Sequence, residues 1–198
     1  MNVNIKGNSI SYIIPYFQLT DWASFTNQPS NDGVEIVSSS ANDTQKITIF
    51  GTTNGTSNVV YETVTLTGTT AVATTKTDWG NIYGAFLGDI YGLNSTPAVG
   101  TITIREASGD QAITTIAATK RSKGMVNLYL PGRTIDIHNV SGNTWLIDNV
   151  ANTTTTVATA TNGFQYTAGM ADEIKINKYL SLIGDSTGST VQIKVLEE

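Results

Sequence analysis

Residues 62–68 read Glu-Thr-Val-Thr-Leu-Thr-Gly, and aliphatic side chains alternate there with small polar ones. Neighbouring side chains of a β-strand point to opposite faces of the sheet, so Val64 and Leu66 are predicted to face a core while the threonines face solvent. The same alternation returns in residues 100–105, which read Gly-Thr-Ile-Thr-Ile-Arg. The two stretches predict short antiparallel strands with turn residues between them.

Other parts of the chain follow the same pattern. Residues 34–37, 47–50 and 126–130 are predicted strands, and the Gly-, Thr- and Asn-rich residues 51–56 are predicted to form a hairpin loop. The apolar residues of 79–91 fit helical spacing, but three glycines interrupt them, so a strand or an irregular turn is favoured. Only 14% of the residues are charged, and threonine is the commonest residue. The predicted fold is all-β, an antiparallel β-sandwich or jelly-roll-like fold.

The length of 198 residues allows one β-domain or two small ones. We predict an N-terminal arm or first strand at residues 1–33, a β-sandwich domain at 34–130 and a second β-unit at 131–198, with the turn Pro131-Gly132 between the halves. Stretches of the second half resemble the first, so the halves are either two related β-units or the same strand chemistry used twice. The similar pairs are 135–137 with 47–49, 155–159 with 70–74, and 190–195 with 101–104.

The charge of the chain argues against nucleic acid partners, and its N-terminal sequence argues against a membrane. The net charge is −5, and basic residues cluster only at residues 120–123, so no surface that tracks phosphates is expected. The N-terminal residues lack the charged and apolar regions of a secretory signal, and residues 9–17 are too short and polar to span a membrane. We expect a soluble protein without a secretory signal.

Metal and cofactor sites are not indicated either. Cysteine is absent, which removes disulfides, thiolate zinc sites and thiol nucleophiles together. The oxygen-rich loops Asn-Asp-Thr at 42–44 and Asp-Ser-Thr at 185–187 offer ligands for calcium, but neither matches the EF-hand pattern. Such clusters commonly form turns, so we predict no metal and no cofactor.

Catalytic patterns are weak in this sequence. The only histidine, His138, lies on a predicted strand without the partners that a catalytic triad needs. Asp89 with Glu106, or Asp172 with Glu173, are possible glycosidase pairs, but nothing in the sequence fixes a separation between their carboxylates. The sequence therefore favours a protein that is not an enzyme.

The three tryptophans, Trp22, Trp79 and Trp145, allow two interpretations. Exposed on a β-sandwich, they and several tyrosines would form the sugar platform of a carbohydrate-binding module. Alternatively, they pack in the core or at contacts between subunits, which we favour because three tryptophans are few for a chain of this length.

The order of several motifs resembles that of tailed-phage virion structural proteins over residues 34–137. The motifs are Glu-Thr-Val-Thr-Leu-Thr-Gly-Thr at 62–69 with Trp79 behind it, Gly-Thr-Ile-Thr-Ile at 100–104, Ile-Ala-Ala at 116–118, and Asn-Leu-Tyr-Leu-Pro-Gly-Arg-Thr at 127–134. The chain departs from the family pattern at Ala117-Ala118, where a glycine is usual, and at Pro131-Gly132, where an alanine is missing.

This resemblance implies a structural protein of the virion, namely a head decoration or auxiliary capsid protein at the capsid surface. Its partner would be the major capsid protein, and a homotrimer is expected because icosahedral lattices offer threefold positions. The aromatics of the N-terminal arm are the candidate shell or subunit contacts. These are Tyr12, Tyr16, Phe17, Trp22 and Phe25.

Three alternatives stay open at this point. The N-terminal arm can equally complete a sheet of its own chain instead of contacting a neighbour. The protein can be a tail or collar component of the particle rather than part of the head. It can also be a carbohydrate-binding or adhesin module with the same β-sandwich fold.

Overall fold

The computed structural model describes residues 10–29, 31–89, 96–149, 151 and 158–196, and for residues 10–16 and 149 it describes the backbone alone. These residues form antiparallel strands and one short 3-10 turn at Trp22–Ser24, with no α-helix among them. The predicted all-β fold is therefore confirmed. In chain order the strands are β1 (Ile10–Leu19), β2 (Val34–Ser38), β3 (Lys46–Thr53), β4 (Val59–Thr65), β5 (Val72–Ala73), β6 (Trp79–Leu87), β7 (Ile102–Glu106), β8 (Ala112–Ile116), β9 (Ser122–Gly124), β10 (Val126–Tyr129), β11 (Thr134–Ser141), β12 (Thr144–Asn149), β13 (Phe164–Tyr166), β14 (Ala171–Lys175), β15 (Tyr179–Gly184) and β16 (Ser189–Leu196).

The side chains of residues 63–67 have the predicted orientation. Leu66 is buried and Val64 packs against the same core, while Thr63, Thr65 and Thr67 are exposed. The glycine-interrupted segment that starts at Trp79 forms strand β6, as favoured over a helix. The loop between β3 and β4 turns at Asn54-Gly55, where Gly55 has a φ of 74°, a conformation that glycine adopts without steric cost.

Strands β2 to β9 form an N-terminal sandwich of two four-stranded sheets. One sheet has the order β5-β2-β7-β8 and the other β4-β3-β6-β9. Aliphatic side chains from both sheets meet in one core, in which Trp79 is the largest buried residue. The Trp79 indole N–H donates to Thr74 Oγ1 at 3.2 Å, so its one polar group is satisfied inside the core.

The remaining strands form a C-terminal sandwich in which β1 lies beside the strands of the second half. Its sheets have the orders β1-β16-β11-β14 and β10-β15-β12-β13. The register of β1 against β16 shifts between Ile14 and Phe17, at Pro15, which has no N–H to donate to the ladder. The domain boundaries predicted at residues 33 and 130 stay predictions. In the sheets, β1 pairs with β16 and β10 pairs with β15, so both belong with the later strands.

The two sandwiches have the same strand order in both sheets. The consecutive strands β2 to β7 correspond in position to β11 to β16, and the central pairs Ile36 with Ile104 and Ile137 with Ile193 are equivalent. The remaining edge position of each sheet is filled differently. In the N-terminal sandwich these positions hold β8 and β9, which come after β7 in the chain. In the C-terminal sandwich they hold β1 and β10, which come before β11. An identical order in both sheets supports duplication over shared strand composition.

The predicted pairing of segments agrees with this equivalence only in part. Residues 190–195 lie on β16 and 101–104 on β7, which occupy equivalent positions. Residues 135–137 lie on β11, which corresponds to β2 and not to the β3 of residues 47–49, so that pairing is corrected. An Ile-x-Ile pattern marks any strand with one buried face and does not identify its place in a sheet. Most of 155–159 lies outside the described residues.

The core of the C-terminal sandwich extends onto the outer face of the sheet of β3 and β6. Phe50 and Phe86 point away from the N-terminal core and pack into the core of the C-terminal sandwich. At the same junction Gly84 pairs with Gly124, and Met125 N–H donates to the Tyr83 carbonyl at 3.0 Å. A side chain at position 84 would overlap the Met125 backbone.

Replacing Gly84 tests this junction. Gly84→Ala places a Cβ on the Met125 carbonyl group, so β6 and the start of β10 must separate. We expect the variant to lose about 2 kcal/mol or more of unfolding free energy in urea titration. The matched control is Gly109→Ala, where the nearest atom to a Cβ is Glu106 Oε2 at 3.8 Å. Equal effects of the two substitutions would contradict a close junction.

A buried carboxylate holds the β2–β3 loop in place. Asp43 is fully buried and accepts hydrogen bonds from Ser38 Oγ (2.5 Å), Gln45 Nε2 (3.1 Å) and the backbone N–H groups of Val99 (2.8 Å) and Gly100 (2.9 Å). Burial alone would raise the pKa of Asp43, but these hydrogen bonds outweigh it and hold the pKa below its ordinary value. Asp43 therefore serves the fold with all its oxygens engaged.

The Asp43 network predicts a pH dependence of stability. A carboxyl with a lowered pKa contributes stability above its pKa in the unfolded chain and loses it as the pH falls through its pKa in the folded chain. We expect Asp43→Asn to lower the Tm at pH 7 by several degrees, corresponding to about 3 kcal/mol. The gap between wild type and variant narrows as the pH is lowered towards 3, measured by calorimetry. Asp78→Asn at an exposed position is the control, and a gap independent of pH would disprove the assignment.

Candidate functional site

A groove of about 610 Å³ opens at one edge of the C-terminal sandwich. Its two sides come from β13 and β14, which are the outermost strands of the two facing sheets among the described residues. The groove therefore lies where the sandwich is open between its sheets. It is lined by Leu146, Ile147, Asp148, Asn162, Phe164, Tyr166, Asp172, Glu173, Ile174 and Lys175.

The floor of the groove belongs to the core of the sandwich. Leu146 on β12 and Tyr166 on β13 are both buried. The Tyr166 hydroxyl donates to Asp172 Oδ2 at 3.2 Å and so joins an edge strand of one sheet to an edge strand of the other. Burial raises the pKa of Tyr166, and the Asp172 charge and hydrogen bond raise it further. The phenol thus stays protonated and keeps donating at neutral pH.

Phe164 forms the exposed apolar side of the groove. It pairs with Leu146 across the strands, and directly paired residues share a face of the sheet, so the ring lies on the side of the buried floor. The opposite sheet does not cover it, however, and its side chain is 80% exposed. It has the largest exposed fraction of the large hydrophobic residues that the structure describes. An exposed ring beside an apolar floor is typical of a contact site.

Carboxylates dominate the polar lining. Asp148 and Asp172 place two carboxylates at the groove, whereas Glu173 and Lys175 alternate with Asp172 along β14 and point to the other face of that sheet. Asp148 is held by hydrogen bonds from the Asn177 backbone N–H (2.8 Å) and side-chain amide. A carboxylate has about four lone-pair sites, so fixed carboxylates of this kind can each accept further hydrogen bonds from a ligand.

The equivalent edge of the N-terminal sandwich is closed. Glu62 on β4 accepts a hydrogen bond from the Lys76 backbone N–H at 3.1 Å, and its carboxylate is 3.7 Å from Lys76 Nζ. The same ammonium lies over the Trp79 ring, 5.9 Å from its centroid. These contacts tie β4 to the connection between β5 and β6. The edge strands of the C-terminal sandwich are instead joined by the Tyr166–Asp172 hydrogen bond at the floor of the groove.

The structure places the aromatics of the predicted contact set differently from one another. Phe17 is 2% exposed and meets the Phe86 ring edge-on, with centroids 5.9 Å apart, so it is a core residue and its assignment as a contact is corrected. Trp22 packs on Tyr83 at 4.7 Å, and Phe25 packs on the N-terminal core; both are half-buried.

Tyr12 and Tyr16 lie on strand β1, and their side chains fall outside the described residues. Residues 10–19 pair with β16 of the same chain. For this segment the alternative that the arm completes a sheet of its own chain is therefore the observed one. Phe164 was not among the predicted contacts. The sequence Asn-Gly-Phe-Gln-Tyr at 162–166 predicts a turn followed by a strand, but it does not show whether the facing sheet covers that strand.

The catalytic candidates from the sequence do not come together. His138 is exposed on β11, between Ala171 and Gln192 of the neighbouring strands. Asp89 forms an ion pair with Lys46 at 3.1 Å. Asp172 and Glu173 are consecutive on β14 and so point to opposite faces.

The calcium candidates serve the fold. Asp43 is engaged as described, and Asp185 accepts hydrogen bonds from Thr187 Oγ1 (2.7 Å) and Asn143 Nδ2 (3.2 Å) at a turn. In the described ranges no three histidine, aspartate or glutamate side chains lie close enough together to hold a metal ion.

Comparison of the chain with models of protein families, with curated proteins and with solved structures found no match. Within the part of the chain that the structure describes, no helix has the length and apolar character needed to cross a membrane. The functional argument therefore depends on the residues and surfaces described above.

Two substitutions on β13 separate the exposed ring from the buried one. Phe164→Ala removes a side chain that water already surrounds, so we expect a change within about 0.5 kcal/mol in unfolding free energy. Tyr166→Ala removes a buried ring and the bond to Asp172, and we expect a loss of about 3 kcal/mol or more. Chemical denaturation measures both. A large loss in Phe164→Ala would mean that the ring is packed and the groove closed.

Proposed function

We propose that this chain is a structural protein of a tailed-phage particle that decorates the head shell and stabilises it without chemistry of its own. The proposal is carried by the resemblance of residues 34–137 to virion structural proteins in the order of their strand motifs. Decoration needs binding surface, repeated at many symmetry-related positions, rather than a catalytic centre.

The architecture is compatible with that role. Phe50 and Phe86 of the N-terminal sandwich pack into the core of the C-terminal one, so separating the two halves would expose both rings. A body joined in this way transmits a contact made at one end to the other, which suits a protein that braces a shell. The major capsid protein is the proposed partner, and the capsid surface the proposed location.

A homotrimer at the threefold positions of the lattice is part of the proposal. The N-terminal sandwich presents exposed, threonine-rich strand faces, such as Thr63 and Thr65 on β4. Polar strand faces of this kind suit contacts that form and persist in water. Light scattering coupled to size-exclusion chromatography of the purified chain is expected to give the mass of a trimer, and a monomer mass would contradict this part of the proposal.

The copy number of the chain in purified particles tests the proposal. On the order of hundreds of copies, measured by quantitative mass spectrometry against the major capsid protein, is expected for a decoration protein on an icosahedral lattice. About six or twelve copies would instead place it in the tail or collar. Absence from particles would refute the virion assignment.

A second experiment measures stabilisation directly. Purified chain is added to particles that lack it, and the temperature at which the shell releases its DNA is recorded by dye fluorescence. We expect this temperature to rise with occupancy and to level off when the sites are filled, because a ligand that binds only the intact shell stabilises it by mass action. Bovine serum albumin at equal concentration is the control.

A further inference from the structure

We infer that the groove between β13 and β14 binds a neutral, hydroxyl-rich carbohydrate, with a pyranose ring against Phe164 and its hydroxyl groups donating to Asp148 and Asp172. This site goes beyond the proposed decoration role and does not depend on it. The inference starts from the exposed Phe164 ring, the shape of the groove and the acceptor groups that line it.

The Phe164 ring supplies the contact that a sugar needs. One face of a pyranose is made of C–H groups, which carry a slight positive charge and pack on the negative face of an aromatic ring. Phe164 is held on a strand, directly opposite the buried Leu146, so its backbone is fixed before any ligand arrives. A large exposed ring in that position is unfavourable in water and gains from being covered.

The polar groups of the groove select for ligands that donate hydrogen bonds. The carboxylates of Asp148 and Asp172 make the groove negative, so it repels phosphate, sulfate and uronic acid groups. Sugar hydroxyls are donors, and a hydrogen bond to a charged acceptor is stronger than one between neutral groups. A neutral glycan therefore fits the charge, whereas an anionic glycan or nucleic acid does not.

The acceptors are positioned before binding. The Tyr166 hydroxyl and the Glu173 backbone N–H hold the two oxygens of Asp172 at 3.2 and 2.9 Å, and Asn177 holds Asp148. Fixed side chains lose little conformational freedom when a ligand binds. The volume of about 610 Å³ lies inside the range of roughly 300–1,000 Å³ that small-molecule sites occupy.

Addition of a protein strand to these edges is less favourable. Strand β13 has three residues, and β14 presents Asp172, Glu173 and Lys175 along its short length. Short edges with charged side chains are a common device against pairing with another chain. We therefore assign the groove to a saccharide rather than to a peptide.

The test uses the isolated full chain and a panel of neutral hexasaccharides: cellohexaose, laminarihexaose, chitohexaose, mannohexaose and galactohexaose. Binding is measured by nitrogen–proton correlation NMR, which reports both affinity and location. We expect at least one sugar to bind with a Kd in the range of about 10 µM to 1 mM and to shift the amide signals of β13 and β14.

Variants locate the binding. We expect Phe164→Ala to weaken it at least tenfold and Asp172→Asn to weaken it several-fold, since the first removes the ring and the second the charged acceptor. Val99→Ala is the matched control because Val99 is another exposed hydrophobic residue, 57% exposed, on the N-terminal sandwich. It is expected to leave the Kd unchanged.

Three outcomes would overturn the inference. These are no saturable binding of any panel member at about 10 mM, binding that Phe164→Ala does not weaken, and tighter binding of an anionic polymer such as heparin at the same signals. If the amide signals of β14 shift when the protein concentration is raised without any sugar, the groove binds a second copy of the chain, and this too would overturn the inference. Particles are not involved, so failure here leaves the decoration proposal to its own test.

Discussion

The contact of Phe17 with Phe86 is the interaction on which the rest of the structure depends. Phe86 leaves the sheet of β3 and β6 on the side opposite the N-terminal core, and Phe17 reaches it from β1 of the other sandwich. Both rings are almost completely buried, so either sandwich alone would expose a large apolar surface to water. Two β-sandwiches with separate sheets are thereby joined, and the lack of a side chain at Gly84 lets the Met125 backbone, which leads into β10, approach β6.

Strand β1 has the same joining function in the backbone. Along most of its length it pairs with β16 of the C-terminal sandwich, yet at its end Gln18 and Thr20 bond to β9 of the N-terminal sandwich. The Gln18 N–H donates to Ser122 Oγ at 2.7 Å, and the Thr20 N–H donates to the Gly124 carbonyl at 3.1 Å. Strand β1 occupies in the C-terminal sandwich the position that β8 has in the N-terminal one, and it is also bonded to the N-terminal sandwich, so the two sandwiches depend on each other.

Much of the fold could be predicted from local pattern because the strands have one buried and one exposed face. The alternation around Val64 and Leu66 predicted their orientation, and the glycines after Trp79 argued correctly against a helix. The position of a strand within its sheet could not be predicted, because Ile-x-Ile fits β3 and β11 equally well. The exposure of the Phe164 side chain could not be predicted from the sequence either. It depends on where the facing sheet ends, and no local sequence pattern encodes that position.

The difference between the two sandwiches follows from one edge. In the N-terminal unit, the Glu62 carboxylate collects Lys76 and the neighbouring backbone, and this closes the space between β4 and β5. In the C-terminal unit the hydrogen bond from Tyr166 to Asp172 crosses the equivalent space at its floor, and Phe164 lies exposed above it. The C-terminal edge has a buried floor, fixed carboxylates and an exposed ring. It is ordered but not fully packed, and such an edge is suited to bind a ligand.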